Sequence, residues 1–133
     1  MSQESSNHPV VHFELPYQDQ DRLNRFYSVA LGWQLNQLGP EMGDYILAGT
    51  TAVGEDQRPT TPGAINGGFY PAADGPSPIL VVGTDDIAAS TASVEQAGGT
   101  VLGEPMDITG VGRFVIFEDT EGNRLTLLQP NMP

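Results

Sequence analysis

HFELPYQD at 12–19 and ILVVGTDD at 79–86 are the two stretches on which the reading of this chain turns. They begin 67 positions apart (79 − 12), and each ends on an Asp seven positions after its first residue. In both, a strand-like apolar run leads to that Asp, then to a helical pattern closed by glycine. Gly32 and Gly99 stand at the same offset from the two starts, 32 − 12 and 99 − 79. A chain that repeats this order is expected to fold as two βα-type modules set against each other, with any pocket built between them.

Local patterns extend each copy. Val10 to Leu15 alternates, with His12 and Glu14 on one face and Val11, Phe13 and Leu15 on the other, the period of a strand. Pro16 ends the run, and Asp19 or Asp21 is placed to cap a helix with its side-chain oxygen. Leu23, Phe26, Tyr27, Ala30 and Leu31 recur at helical spacing, and Gly32 supplies the stop. Trp33–Leu38, Tyr45–Ala48 and Ala64–Tyr70 read as three further strands, with Trp33 as core. Gly67-Gly68 inside the last of these points to a bulge or a close backbone approach.

In the second copy Ile79 opens a buried strand, and Asp85-Asp86 caps a helix with Ile87, Thr91, Val94 and Ala97 on its inner face. Thr100–Leu102 and Arg113–Phe117 are strands, Asp119–Asn123 is a turn, and Leu125–Gln129 closes the chain. The result is βαβββ twice: module 1 over about 9–70, a Pro- and Gly-rich linker at 71–78, and module 2 over about 79–130.

Composition narrows the function classes. With 133 residues the chain is one domain's worth of sequence, and without Cys it has no thiol nucleophile, disulfide or zinc knuckle. Five Arg, no Lys and 17 acidic residues give a formal charge of −12, which repels nucleic-acid phosphates and anionic membranes. No apolar run is long enough to span a bilayer, and the first residues lack a basic and apolar leader, so a cytoplasmic protein is expected. Such an acidic surface is also what a salty cytoplasm would tolerate.

The stretches 12–32 (HFELPYQDQDRLNRFYSVALG), 84–99 (TDDIAASTASVEQAGG) and 117–129 (FEDTEGNRLTLLQ) together resemble the vicinal oxygen chelate superfamily, the glyoxalase, bleomycin-resistance and extradiol dioxygenase group. The resemblance implies an α+β fold: two tandem βαβββ modules forming a cup-shaped mixed sheet with helices outside. It also implies homodimerisation, and in the enzymes a divalent metal held by side chains from the first and last strands of each module. At those positions this chain has His12, its counterpart Ile79, Thr126, and the Asn66–Tyr70 stretch without carboxylate or imidazole. Only His12 retains a usual ligand type. Since zinc, nickel and non-haem iron sites need about three protein donors, no metal set is expected. A weak oxygen-rich site on Glu14 is the remaining divalent-ion option.

The candidate site therefore rests on other chemistry. His12 and Glu14, about 7 Å apart on one strand face, form a polar pair able to fix a ligand, with Glu14 as a candidate general base. A buried His–Glu hydrogen bond that orders the strand is the structural alternative. Tyr45 and Tyr70 offer rings for a flat ligand, though strand aromatics commonly fill cores. Arg113 offers a carboxylate clamp, or pairs with a nearby acid. His8 lies in a polar tail. Gly110-Val-Gly112 lacks the Lys and helix of a phosphate loop, and no Ser sits in a nucleophile elbow. The residues point to a protein that binds a small organic molecule, without a confidently implied cofactor and with enzymatic activity undecided. A divalent-metal lyase, isomerase or dioxygenase and a ligand-free interaction module are the alternatives.

Overall fold

The computed structural model describes residues 7–72 and 77–131. The polar start at 1–6 and positions 73–76 of the expected linker lie outside the described residues. The chain divides into two compact units, His12–Pro78, and Met1–Val11 together with Ile79–Pro133.

The unit His12–Pro78 contains most of β1 (Val10–Tyr17), then α1 (Gln20–Leu31), β2 (Gln34–Gln37), β3 (Ile46–Gly49) and β4 (Gly67–Pro71). Its strands lie in the order β2-β3-β4-β1, with β1 and β4 parallel and the other pairs antiparallel. Asp19 starts α1 by accepting from the Arg22 amide at 3.0 Å. Gly32, in the left-handed region at φ 70°, ends it, as the spacing predicts. The buried cluster is Ile46, Ala48 and Phe69, flanked by Phe13, Leu15, Leu23, Tyr27, Trp33 and Leu35. Trp33 is thus core, stacked on Tyr27 at 4.8 Å between ring centroids.

The other unit repeats the order with β5 (Ile79–Gly83), α2 (Ile87–Gln96), β6 (Thr100–Ile108), β7 (Gly112–Glu118) and β8 (Arg124–Pro130). Its strands run β5-β8-β7-β6, and β5 and β8 are again the parallel pair. The fold class is therefore α+β with two βαβββ modules. Ile87, Val115 and Leu127 form the core of this unit, with Val82, Val94, Val101 and Phe117 packed against them.

Several details differ from expectation: β1 runs through Pro16 to Tyr17, and Phe26 and Leu31 of the apolar α1 pattern are 58% and 55% exposed. β6 continues to Ile108, because the register shift between Leu102 and Met106 absorbs Gly103, Glu104 and Pro105 on an outer strand. On α2 the buried positions are Ile87 and Ser90, while Ala97 is exposed. Nor is His8 a loose tail residue: its Nε2 lies 2.8 Å from Ser90 Oγ, which itself meets Thr84 Oγ1 at 2.7 Å. Buried hydroxyls seek partners, and Ser90 has two. Among the described residues no helix is long and apolar enough to cross a membrane.

Candidate functional site

Strand register decides which side chains share a surface. Across the His12–Pro78 unit, Asn36 pairs with Leu47, Leu47 with Gly68, and Gly68 with Glu14, so these four form one row over β2, β3, β4 and β1. The neighbouring row, Leu35–Ala48–Gly67–Phe13, belongs to the opposite face and packs on the core beneath α1. Strand alternation then puts His12, two residues before Glu14, and Tyr45, two before Leu47, on the same open face as Glu14.

The two adjacent glycines explain how Tyr45 reaches β1. A Cβ on Gly67 would strike the ring of Phe13, and a Cβ on Gly68 would strike the ring of Tyr45. The close approach expected from Gly67-Gly68 thus occurs on both sides of β4, with no register shift between β4 and either neighbour. Because Gly68 has no side chain, the Tyr45 phenol crosses β4 and lands between the two polar groups of β1.

There it completes a relay. The Tyr45 hydroxyl donates to Glu14 Oε2 at 2.9 Å, and His12 Nε2 lies 2.8 Å from the same hydroxyl oxygen. The phenol has a single hydrogen, so with Glu14 ionised and accepting it, the tautomer that fits is the one in which His12 Nε2 donates toward Tyr45. Neutral imidazole carries one N–H; Nδ1 is then a bare acceptor. Burial lowers the His12 pKa from its ordinary value and keeps the ring neutral. Burial raises that of Glu14, with the Tyr45 hydrogen bond pulling in the opposite direction. Tyr45 is pushed far above the usual phenol range by burial, then by the Glu14 charge and hydrogen bond, and stays protonated.

The turn that delivers Tyr45 is itself held. Gly43 and Asp44 are both left-handed, at φ 69° and 56°. The Asp44 carbonyl accepts from the Tyr17 hydroxyl at 2.6 Å and from Gln37 Nε2 at 3.1 Å. Asp tolerates this backbone region better than most residues, and the two donors fix the carbonyl. Tyr17 and Gln37 therefore position Tyr45 without touching the relay. Their role depends on contacts 27 and 7 residues away in sequence, which no local pattern signals.

The other expected site residues lie elsewhere or are committed. Tyr70 follows Gly68 by two positions on β4, and its hydroxyl donates to the Ser77 carbonyl at 2.6 Å. Arg113 stands in the other unit and pairs with Asp107 at 3.1 Å in an exposed ion pair, the local pairing weighed from sequence. Asn66 spends its Oδ1 on the Thr50 and Thr51 amides, at 2.7 and 3.0 Å, closing the 50–65 loop.

A transition metal does not fit this donor set. His12 directs an N–H from Nε2 into the relay, and the β4 residue beside Glu14 is Gly68, covered by a ring. The corresponding positions in the other unit are Ile79 and Thr126. Among the described residues, no three of His, Cys, Asp or Glu come together as a metal-binding group. One neutral imidazole tied to a phenol falls short of the three donors such ions usually take.

Comparisons with known proteins agree with the architecture. The family model of the Glyoxalase/Bleomycin resistance protein/Dioxygenase superfamily matches residues 10–127. CFP32 of Mycobacterium tuberculosis, named as a candidate glyoxylase, is 30% identical over 108 residues, covering 79% of this chain and 38% of the relative. The chain thus spans about two-fifths of the length of that relative. The anthracycline biosynthesis protein DnrV of Streptomyces peucetius is 51% identical over 39 residues, 29% of this chain and 14% of DnrV. Among solved structures, Streptomyces coelicolor methylmalonyl-CoA epimerase in complex with 2-nitronate-propionyl-CoA superimposes with a TM-score of 0.68. At 18% identity over 92% of this chain and 97% of the epimerase, that match shows the fold alone.

Proposed function

This chain belongs to the Glyoxalase/Bleomycin resistance protein/Dioxygenase superfamily, and from that premise we propose that it binds a small organic molecule on the open face of the His12–Pro78 unit, without a metal centre. The observation that carries this reading is the His12–Tyr45–Glu14 relay. It offers His12 Nδ1 and the second Glu14 oxygen in the same register row as Leu47, which stands two strands away across Gly68 and is 41% exposed. Fixed polar groups against an apolar neighbour are the usual makings of a small-molecule site.

The same arrangement supports proton transfer as a secondary activity. Glu14, with its pKa raised by burial, is a better-matched base near neutrality than an exposed carboxylate. A proton taken by Glu14 Oε1 would leave the Tyr45 bond to Oε2 in place. This parallels the epimerases that share the fold, since epimerisation at an acidic carbon removes a proton and returns it. Nothing in the relay requires that the ligand be a CoA thioester.

The test has two parts. Protein purified without chelator or affinity tag is expected to carry no stoichiometric transition metal by elemental analysis. A fragment screen followed by NMR is expected to yield molecules that shift the His12 and Tyr45 ring resonances. Tyr45→Phe should weaken those molecules by about tenfold, the value of a good charge-assisted hydrogen-bond network, while circular dichroism stays unchanged. Stoichiometric metal bound at His12 would support the metal-dependent lyase, isomerase or dioxygenase alternative instead.

A further inference from the structure

The direction of the relay specifies the charge of the ligand as well as its place. We infer that the open face of the His12–Pro78 unit takes an organic amine, its ammonium group set on Glu14 and its body lying over Leu47; this rests on the proposed function above. Three observations carry it.

First, the groups left over by the relay are acceptors. Tyr45 gives its only hydroxyl hydrogen to Glu14 and receives the His12 Nε2 hydrogen, so His12 Nδ1 and Glu14 Oε1 are what remain for a ligand. A ligand has to bring the hydrogens.

Second, Glu14 is a half-buried carboxylate with no cation beside it. Its one hydrogen-bond partner is a neutral phenol, and Arg113 and Arg124 are paired with Asp107 and Glu118 rather than with it. A carboxylate removed from water is stabilised by an ammonium in a way that a phenol alone does not match.

Third, no lysine or arginine stands on the strands that form this face. The chain has no Lys, and none of its Arg residues stands on β1, β2, β3 or β4. Arg22 and Arg25 are on α1, Arg58 is in the loop between β3 and β4, and Arg113 and Arg124 are in the other unit. The formal charge of −12 adds a field of the same sign. An acid such as a carboxylate or a phosphate ester would meet two acceptors and no cation.

The deciding experiment uses three probes with one phenol ring: tyramine, 3-(4-hydroxyphenyl)propionate and 4-ethylphenol, which are cationic, anionic and neutral. Each is titrated into the full chain at about 0.15 M salt, where attraction through solvent is screened beyond about 8 Å. His12 and Tyr45 ring resonances report occupancy. Tyramine is expected to bind at least about tenfold tighter than the propionate, with 4-ethylphenol between them. Glu14→Gln should reduce that ratio to within about threefold, and the surface control Glu95→Gln should leave it unchanged.

Equal or tighter binding of the propionate overturns the inference and leaves the proposed function standing. A ratio that survives Glu14→Gln also overturns it, assigning the preference to the general field. No perturbation by any of the three at millimolar concentration overturns the inference and the proposed site together. Should Glu14→Gln fail to fold, the three-probe ranking is repeated on the unaltered protein at about 1 M salt, where screening within about 3 Å removes a preference owed to the general field; a ratio that collapses there overturns the inference, and one that persists supports it.

Discussion

Two rows of four residues, one in each unit, occupy the same register and carry opposite chemistry. In the His12–Pro78 unit the row is Glu14–Gly68–Leu47–Asn36; in the other it is Val81–Thr126–Ile116–Leu102. Both lie on the face away from the helix of their unit. Val81 and Thr126 are 4% and 7% exposed, one apolar and one singly polar, and each carries a side chain where the first row has Glu14 and Gly68. The first row leaves a gap at Gly68, and the Tyr45 ring fills it. What separates a row without the relay from the row that carries it is a missing side chain. The pleat decides which residues share a face, and the empty position decides that a phenol from β3's approach turn can bridge two groups on β1.

The comparison breaks most visibly if the two rows are made alike. Gly68→Thr, which copies the residue at 126, places a Cβ where the Tyr45 ring lies. It should cost about 1–3 kcal/mol by urea denaturation, the usual penalty for overpacking, and should displace Tyr45. The reverse change, Thr126→Gly, should cost at least about 1 kcal/mol, because backbone freedom and the emptied buried position both count against it. If Gly68→Thr is tolerated without loss and Tyr45 keeps its hydrogen bonds, the gap is not what builds the site.

Tyr45→Phe sharpens the same contrast. It leaves Glu14 and His12 each without a partner and should cost about 1–2 kcal/mol. A double-mutant cycle with His12→Gln should show coupling of about 0.5 kcal/mol or more, as expected for groups in one network.

The pH dependence of stability should separate the two ends of the relay. The folded pKa of His12 lies below its unfolded value, so the unfolded chain binds the extra proton. Stability is then complete above the ordinary imidazole range, about pH 6.5, and falls as pH drops through it. Glu14 is raised, so its contribution is present below the ordinary carboxylate range and is lost as pH climbs to the folded value. Denaturation midpoints across pH should show His12→Gln removing the acid-side loss and Glu14→Gln removing the opposite one. Parallel profiles for all three proteins would contradict the assignment.

The smallest effect is expected at Arg113. Its pair with Asp107 is exposed on both sides, so Arg113→Ala should change stability by less than about 1 kcal/mol. Probe binding at His12 should not change.

Much of the architecture was legible in the sequence because it rests on local signals. Asp19 and Asp86 cap the helices they precede, Gly32 ends α1, and Asp119 organises its turn through the Glu121 and Asn123 amides. The shared face of His12 and Glu14 follows from strand period alone. The relay was not legible, because Tyr45 is 33 residues from His12 and meets it only through the β3–β4–β1 register. Gly67-Gly68 signalled a close approach without saying whose ring came close. His8 looks like tail in the sequence for the same reason: its partner Ser90 is 82 residues away.

The relay requires that His12 donate from Nε2 to Tyr45 and keep Nδ1 bare. Long-range proton–nitrogen NMR of the His12 ring reads this directly. The expected result is the neutral tautomer protonated at Nε2, unchanged when zinc or nickel is added and then chelated, and altered in Tyr45→Phe. A ring protonated at Nδ1 with Nε2 bound to the added metal would contradict it.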